Sequence, residues 1–241
     1  MTSAVANNTL DTLEALERAP SILKVKEVFR RAVERFGFTS FLCSAPPRPE
    51  EGSVDPVLFD AWSRDWRQRY SKRRHYLHDP MLRELQRTAD PFTWDAVAAR
   101  SPHSPDEQRV MDEAADFGMR GGFVVPIYGV GGQLHAVTMT GLDPQTDSQA
   151  RAELHLISIY AYARAKHLKK RHGVPPVTLR PREQQVLQWA TSGKTDWEIG
   201  QILGISESAA HKHIENVKRR MGVGTRVQAI VEAIRQGQVY L

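Results

Sequence analysis

Two groups of side chains have the types and spacing to do chemistry. The first lies between Ser206 and Met221. At about 100° per residue, Ala210, Ile214, Val217 and Met221 share one helix face, and Ser208, Lys212, Glu215 and Arg219 lie opposite. His211 and Lys218 occupy one flank, and His213, Asn216 and Arg220 the other. A helix laid in the major groove of DNA needs donors and acceptors at its tip for base edges, and cations on both sides for two phosphate walls. Ser208, Lys212 and Glu215 therefore read as base-contacting. His211, His213, Lys218, Arg219 and Arg220 read as mostly phosphate-contacting. An amphipathic helix with a solvated basic face is the plainer alternative. The second group is Trp66, Tyr70, Asp79-Pro80 and Trp94, at spacings of 4, 9 and 15 residues. Trp66 and Tyr70, four apart, share one side of a helix. Asp79 before Pro80 is equally a good helix N-cap, and singly the three aromatic residues are more often core than ligand contacts.

Other chemistries find no footing. His211 and His213 point about 200° apart on a helix and cannot share an ion. His75 and His78 sit beside Arg73-Arg74 and read as part of a solvated loop. No glycine-rich phosphate loop, nucleophile elbow or metal-ligand spacing occurs, so neither enzyme nor metal site is expected, and no cofactor. Lys plus Arg number 33 against 28 Asp plus Glu, a net charge of +5 in a chain that is 41% hydrophobic. That balance excludes disorder, and no apolar run reaches the ~20 residues a membrane helix needs. The first residues carry Asp11, Glu14 and Glu17, unlike a signal peptide. Cys43 is the only cysteine, so no intrachain disulfide can form, and a cytoplasmic location is expected.

The elements that must position these groups fall into two segments. Residues 171–177, with Gly173 and Pro175-Pro176, interrupt the helical pattern and divide a first domain, 1–170, from a second, 178–241. The second holds nine Lys/Arg against six Asp/Glu. It reads as four short helices: Pro181 opens the first, Thr195-Asp-Trp-Glu198 is a capping box for the second, Gly204 breaks it, and Ser206 caps the third. Two helices joined by a tight glycine turn form a helix-turn-helix. In the first domain, Leu23–Phe36, Pro56–Tyr70, Pro80–Arg87, Ser104–Phe117 and Asp147–Lys170 have helical patterns. Phe38–Cys43, Gly122–Tyr128 and Leu134–Thr140 read as strands, the last two joined by Gly129-Val-Gly-Gly132. The class is α+β, an N-terminal sheet sandwiched by helices followed by a small all-α unit. Leu154, Ile157, Ala161 and Leu168 approximate a seam for a homodimer.

Residues 179–223 resemble the LuxR-type helix-turn-helix through Arg182-Glu183, Leu187, Gly193-Lys194-Thr195, Glu198-Ile199, Ile202 to Ser206, His213, Asn216 and Gly222-Val223. They depart from it at Arg180 and Ala209-Ala210. The resemblance adds Thr195 to the DNA-contacting set. The aromatic and acidic group, with Phe117 to Gly122 and Pro126-Ile127, resembles the autoinducer-binding domain of acyl-homoserine-lactone receptors in the same family. What that implies is a ligand-dependent regulator in quorum sensing. It would bind an acyl-homoserine lactone and, as a homodimer, a palindromic operator in double-stranded DNA, with RNA polymerase as a further partner. Trp66 would hold the lactone carbonyl and Asp79 the amide N–H. Tyr70 and Trp94 would wall the head group, Gly122 would let the backbone come close, and Thr138 would face the acyl carbonyl. Trp62 stands where the family commonly has a tyrosine, which points to a short, branched or aryl acyl group. A constitutive, ligand-independent DNA-binding regulator of the same fold is the alternative.

Overall fold

The computed structural model describes residues 2–47, 57–129, 132–170 and 177–241, so most of the expected linker and the tip of the central hairpin lie outside the described residues. Apart from that tip, the chain divides between residues 173 and 174 into two compact units.

The first unit opens with α1 (Thr2–Glu17) and α2 (Ile22–Glu34), which the Ser21 side chain caps by accepting from the Lys24 N–H. β1 (Ser40–Ser44) and β2 (Phe59–Asp60) follow, then α3 (Arg64–Lys72), a 3₁₀ turn over His75–Leu77 and α4 (Pro80–Leu85). After β3 (Phe92–Thr93), α5 (Trp94–Arg100) and α6 (Pro105–Ala115) come the long strands β4 (Gly121–Tyr128) and β5 (Leu134–Gly141), and finally α7 (Ser148–Lys170). The five strands form one sheet in the order β2-β1-β5-β4-β3. β1 pairs antiparallel with both β2 and β5, placing Leu42 opposite Thr138 and Ser44 opposite Ala136.

The two-residue period of the strands decides which face each side chain serves. Phe41 and Cys43 of β1, Phe123 and Val125 of β4, and Val137 and Met139 of β5 pack with α1, α2 and α7 into one core. Their neighbours Leu42, Ser44, Val124, Ala136, Thr138 and Thr140 face the other way, toward α3, α4, α5 and α6. The sheet is thus sandwiched by helices, the α+β arrangement expected.

Three expectations are corrected. Of the helix expected over Pro56–Tyr70, Pro56 lies outside the described residues and residues 57–70 are not one helix. Phe59-Asp60 is an edge strand paired to Leu42-Cys43, and α3 starts only after Ser63, whose hydroxyl accepts from the Trp66 N–H at 3.1 Å. Trp62 therefore precedes that helix instead of lying within it, one turn before Trp66. The expected dimer seam is spent inside the chain: Leu154, Ile157, Ala161 and Leu168 are all buried in the first unit's own core. The exposed apolar side chains of α7 are Leu156, Ile159 and Tyr160, on its other side. Nor is His75 in a solvated loop; it is 4% exposed.

The second unit packs α8 (Pro181–Thr191), α9 (Asp196–Leu203), α10 (Glu207–Met221) and α11 (Arg226–Arg235) around Val186, Leu187, Ile199, Ala210, Ile214 and Val217. α9 ends at Gly204 with φ +64°, the left-handed conformation glycine adopts without strain. A side chain at Gly200 would meet the Ile205 carbonyl oxygen at 2.7 Å, so glycine also permits the close crossing of α9 and the turn into α10. Among the described residues no helix is long and apolar enough to cross a membrane.

Candidate functional site

Between the second face of the sheet and helices α3 to α6 lies a cavity of about 160 Å³. α3 contributes Trp66 and Tyr70 from one side of its two turns, with Trp62 just before it; their rings meet edge to face with centroids 5.1–6.0 Å apart. α4 contributes Asp79, Met81 and Leu82, α5 Trp94, and β5 Thr138 and Thr140. Sequence elements far apart thereby converge on one apolar chamber.

Its polar atoms are few and unevenly satisfied. Asp79 is the N-cap of α4: one carboxylate oxygen accepts from the Met81 N–H at 2.8 Å, and the other accepts from the Tyr70 hydroxyl at 2.7 Å. Both readings of this residue coexist, since a carboxylate has about four acceptor positions. Tyr70 and Met81 take two of them. Burial raises the Asp79 pKa above the ordinary carboxylate value, against the opposing pull of those hydrogen bonds. Burial also pushes the Tyr70 hydroxyl well above its ordinary range, and the charge of Asp79 adds to this. Tyr70 therefore does more than wall the cavity, because it orients the acid. In contrast, the indole nitrogens of Trp62, Trp66 and Trp94 and the hydroxyl of Thr140 are buried without a hydrogen-bond partner. An unpaired buried donor costs about 1–3 kcal/mol, which favours a polar ligand group beside Trp62 and Trp66, whereas the Trp94 nitrogen is packed against Gly122.

Of the seven residues singled out for the cavity, six line it: Trp62, Trp66, Tyr70, Asp79, Trp94 and Thr138. Gly122 does not. A Cβ there would come within 2.6 Å of the Trp94 ring atom Cε2, so the glycine makes room for an indole instead of for a ligand. Gly122→Ala is expected to displace Trp94 and destabilise the unit by about 1–3 kcal/mol through overpacking, read in urea denaturation. Thr140 was missed. The signal was available, because it stands two residues after Thr138 on the same face of β5.

In the second unit the outward face of α10 carries Ser208, Lys212 and Arg219, all exposed. The flanks are less free than their helical angles imply, since neighbouring helices and other side chains of α10 itself use them. The Nδ1 atom of His211 lies 2.9 Å from the Asp196 carboxylate at the start of α9. Lys218 donates to Glu215 at 2.7 Å, and Arg219 to the Asn216 side chain at 3.3 Å. His213 is half-buried. The Thr195 hydroxyl is committed to its capping box, accepting from the Glu198 N–H at 3.3 Å. Arg220 is exposed but bonds the Glu183 carboxylate and the Thr178 carbonyl just before α8. It closes the fold, so its expected phosphate contact would have to compete with a buried acid.

Known proteins share this arrangement. Residues 21–165 match the autoinducer binding domain, and residues 177–233 match the bacterial regulatory proteins of the luxR family. The chain belongs to the LuxR family of transcriptional regulators. This regulator is 31% identical over 226 residues to the transcriptional activator protein BjaR1 of Bradyrhizobium diazoefficiens, covering 94% of this chain and 93% of that one. It is 32% identical over 232 residues to RpaR of Rhodopseudomonas palustris, a quorum sensing-dependent transcriptional regulator, covering 96% and 93%. In fold it is similar to Escherichia coli SdiA, with a TM-score of 0.79 at 18% identity over 98% of this chain and 100% of that one. The regulator's two units are thus a small-molecule-binding domain and a DNA-binding helix-turn-helix, and the family is one of transcriptional regulators, not enzymes.

Proposed function

We propose that the cavity takes an N-acyl homoserine lactone with a short, branched or aryl acyl group, and that its binding licenses DNA binding by a homodimer. The observation that carries this is one apolar cavity lined both by Trp62 and Trp66, whose buried indole nitrogens have no partner, and by the Asp79 carboxylate, which has acceptor positions left. An N-acyl lactone presents one amide N–H and two carbonyls on an otherwise apolar body. Asp79 takes the N–H, Trp66 donates to the lactone carbonyl, and Thr138 or Thr140 serves the acyl carbonyl beside Trp62. Tyr70 and Trp94 pack against the ring. The cavity, of about 160 Å³, has to hold the lactone head group as well as the acyl substituent, which favours a compact acyl group over a long straight chain. Binding to the native state adds RT ln(1+[L]/Kd) to stability, and that couples the signal to folding and assembly.

Organic extract of the full chain, purified after expression beside a lactone-producing culture, is expected to contain an acyl homoserine lactone by mass spectrometry. An extract without one, with full DNA binding in the absence of any signal, would establish the constitutive reading instead. For the dimer, the exposed α7 residues Leu156, Ile159 and Tyr160 offer the apolar face that the buried seam cannot. Ile159→Glu is expected to leave a monomer in sedimentation velocity with ligand present and to weaken binding to a palindromic site. A dimer that persists in this variant would place the interface elsewhere.

A further inference from the structure

Trp66 is held by four rings, and one of them is not apolar. Trp62 and Tyr70 meet it at 65° and 61° and Phe117 at 48°, whereas His75 lies at 25° with centroids 5.9 Å apart, the one near-parallel partner among them. A stacked ring restrains the plane of its neighbour, and that plane sets the direction of the indole N–H.

His75 reaches this place through a strained turn. Arg74, just before it, has φ +54°, the only positive φ of a non-glycine residue among the described ones. A non-glycine residue persists there when its surroundings hold it. What holds it is Glu113 of α6: His75 Nε2 lies 3.2 Å from one of its carboxylate oxygens, in a pair that is buried on both sides. A carboxylate only accepts, so Nε2 carries the proton. The other Glu113 oxygen accepts from Arg73 at 2.5 Å, and Arg69 lies 3.8 Å from the oxygen that faces His75. These guanidiniums balance a charge that would otherwise be costly to bury. Arg69 also lies over the Phe117 ring, at 5.3 Å. α6 places Val110, Met111 and Ala114 in the cavity wall from the same turns that carry Glu113.

We infer that Glu113 and His75 are a positioning pair for Trp66, fixing the plane of the indole and so the direction of the unpaired N–H that it offers to the ligand. The inference rests on the lactone reading for what that N–H meets, but not for the orientation itself. If the acid and imidazole served only to fill and charge-balance the interior, apolar replacements of similar size would leave Trp66 where it is.

The test uses the full chain labelled with ¹⁵N at its five tryptophan indoles, the Trp66 signal being identified by its loss in Trp66→Phe. Glu113→Leu is expected to shift the Trp66 signal while those of Trp189 and Trp197 in the other unit stay put; Glu113→Gln, which keeps an acceptor for His75, restores it. Binding is then compared between an N-acyl homoserine lactone and the matching N-acyl cyclopentylamine, which lacks the ring carbonyl. Glu113→Leu is expected to weaken the lactone about tenfold, one hydrogen bond's worth, and to leave the cyclopentylamine unchanged. Should Glu113→Leu fail to fold, His75→Leu removes the stacked ring while filling its place and must give the same shift and selective loss. An unmoved Trp66 signal, or equal losses for both ligands, overturns the inference. If the unaltered protein does not distinguish the two ligands, the lactone reading fails on its own account, and the indole signal alone decides the role of the pair.

Discussion

Asp79→Asn is expected to lose the ligand while the protein remains folded. The amide is the same size, and its oxygen can keep the cap on Met81, at present a 2.8 Å hydrogen bond. Its NH₂ then stands where the carboxylate oxygen accepted from Tyr70, and offers a donor to a ligand group that is itself a donor. A hydrogen bond to a charged group contributes about 1.5–3 kcal/mol, so affinity should fall at least about tenfold in calorimetric titration. Unchanged affinity would remove Asp79 from the site. The pH dependence carries a second signature. Because burial raises the Asp79 pKa in the folded protein, the ligand-free protein gains stability from this group at low pH, where it is protonated in both states, and loses it as pH rises through the raised value. Ligand binding runs the other way: an N–H donor needs the ionised acid, so affinity declines as pH falls through the Asp79 window. In Asp79→Asn both trends should flatten across that range.

How much of this was legible depended on whether a signal was local. Capping boxes at Ser104-Glu107 and Thr195-Glu198 and the glycine turn at Gly204 are written within a few residues, and each stands where the pattern put it. The inward face of α10 follows from helical angle alone. β2 and β3, two residues each, are too short for any period to register, and β2 exists because β1 is there to pair with. The arginines beside His75 suggest a solvated loop; its partner Glu113 lies 38 residues away, and one of those arginines, Arg73, pairs with that same acid. The α7 stripe is apolar as its spacing implies, but the chain's own core buries it. A stripe reports that a face is buried, and says nothing of whether another chain or the same one buries it. Arg220 is a like case, since a cation on a helix flank gives no hint of a buried acid on another helix.

That acid supports the other large expectation. Glu183 is 2% exposed and accepts from the Arg180 N–H at 2.8 Å as well as from Arg220. Burial alone would raise its pKa, but the Arg180 N–H and the Arg220 guanidinium outweigh that and hold it below the ordinary value. Arg220→Ala would leave this carboxylate buried with its counter-ion gone. Breaking a fully buried pair on one side costs about 3–5 kcal/mol; this pair, with Arg220 itself exposed, costs less, but still an appreciable part of the ~5–15 kcal/mol that holds a domain together. The second unit should therefore lose protection in amide hydrogen exchange across α8 and α10, with DNA binding lost as a consequence of unfolding. Lys212→Ala, at an exposed position, should weaken DNA binding with protection intact. Removing both partners separates the two explanations. Arg220→Met combined with Glu183→Leu should be more stable than Arg220→Ala alone, because no charge is left stranded. Acid should act on the intact pair with the opposite sign to its effect on Asp79. The depressed Glu183 pKa contributes stability above its unfolded value, and that stability is lost as pH falls through the folded one. If Arg220→Ala kept its exchange protection and weakened DNA binding no more than Lys212→Ala does, Arg220 would be the phosphate contact that its place on the helix first suggested.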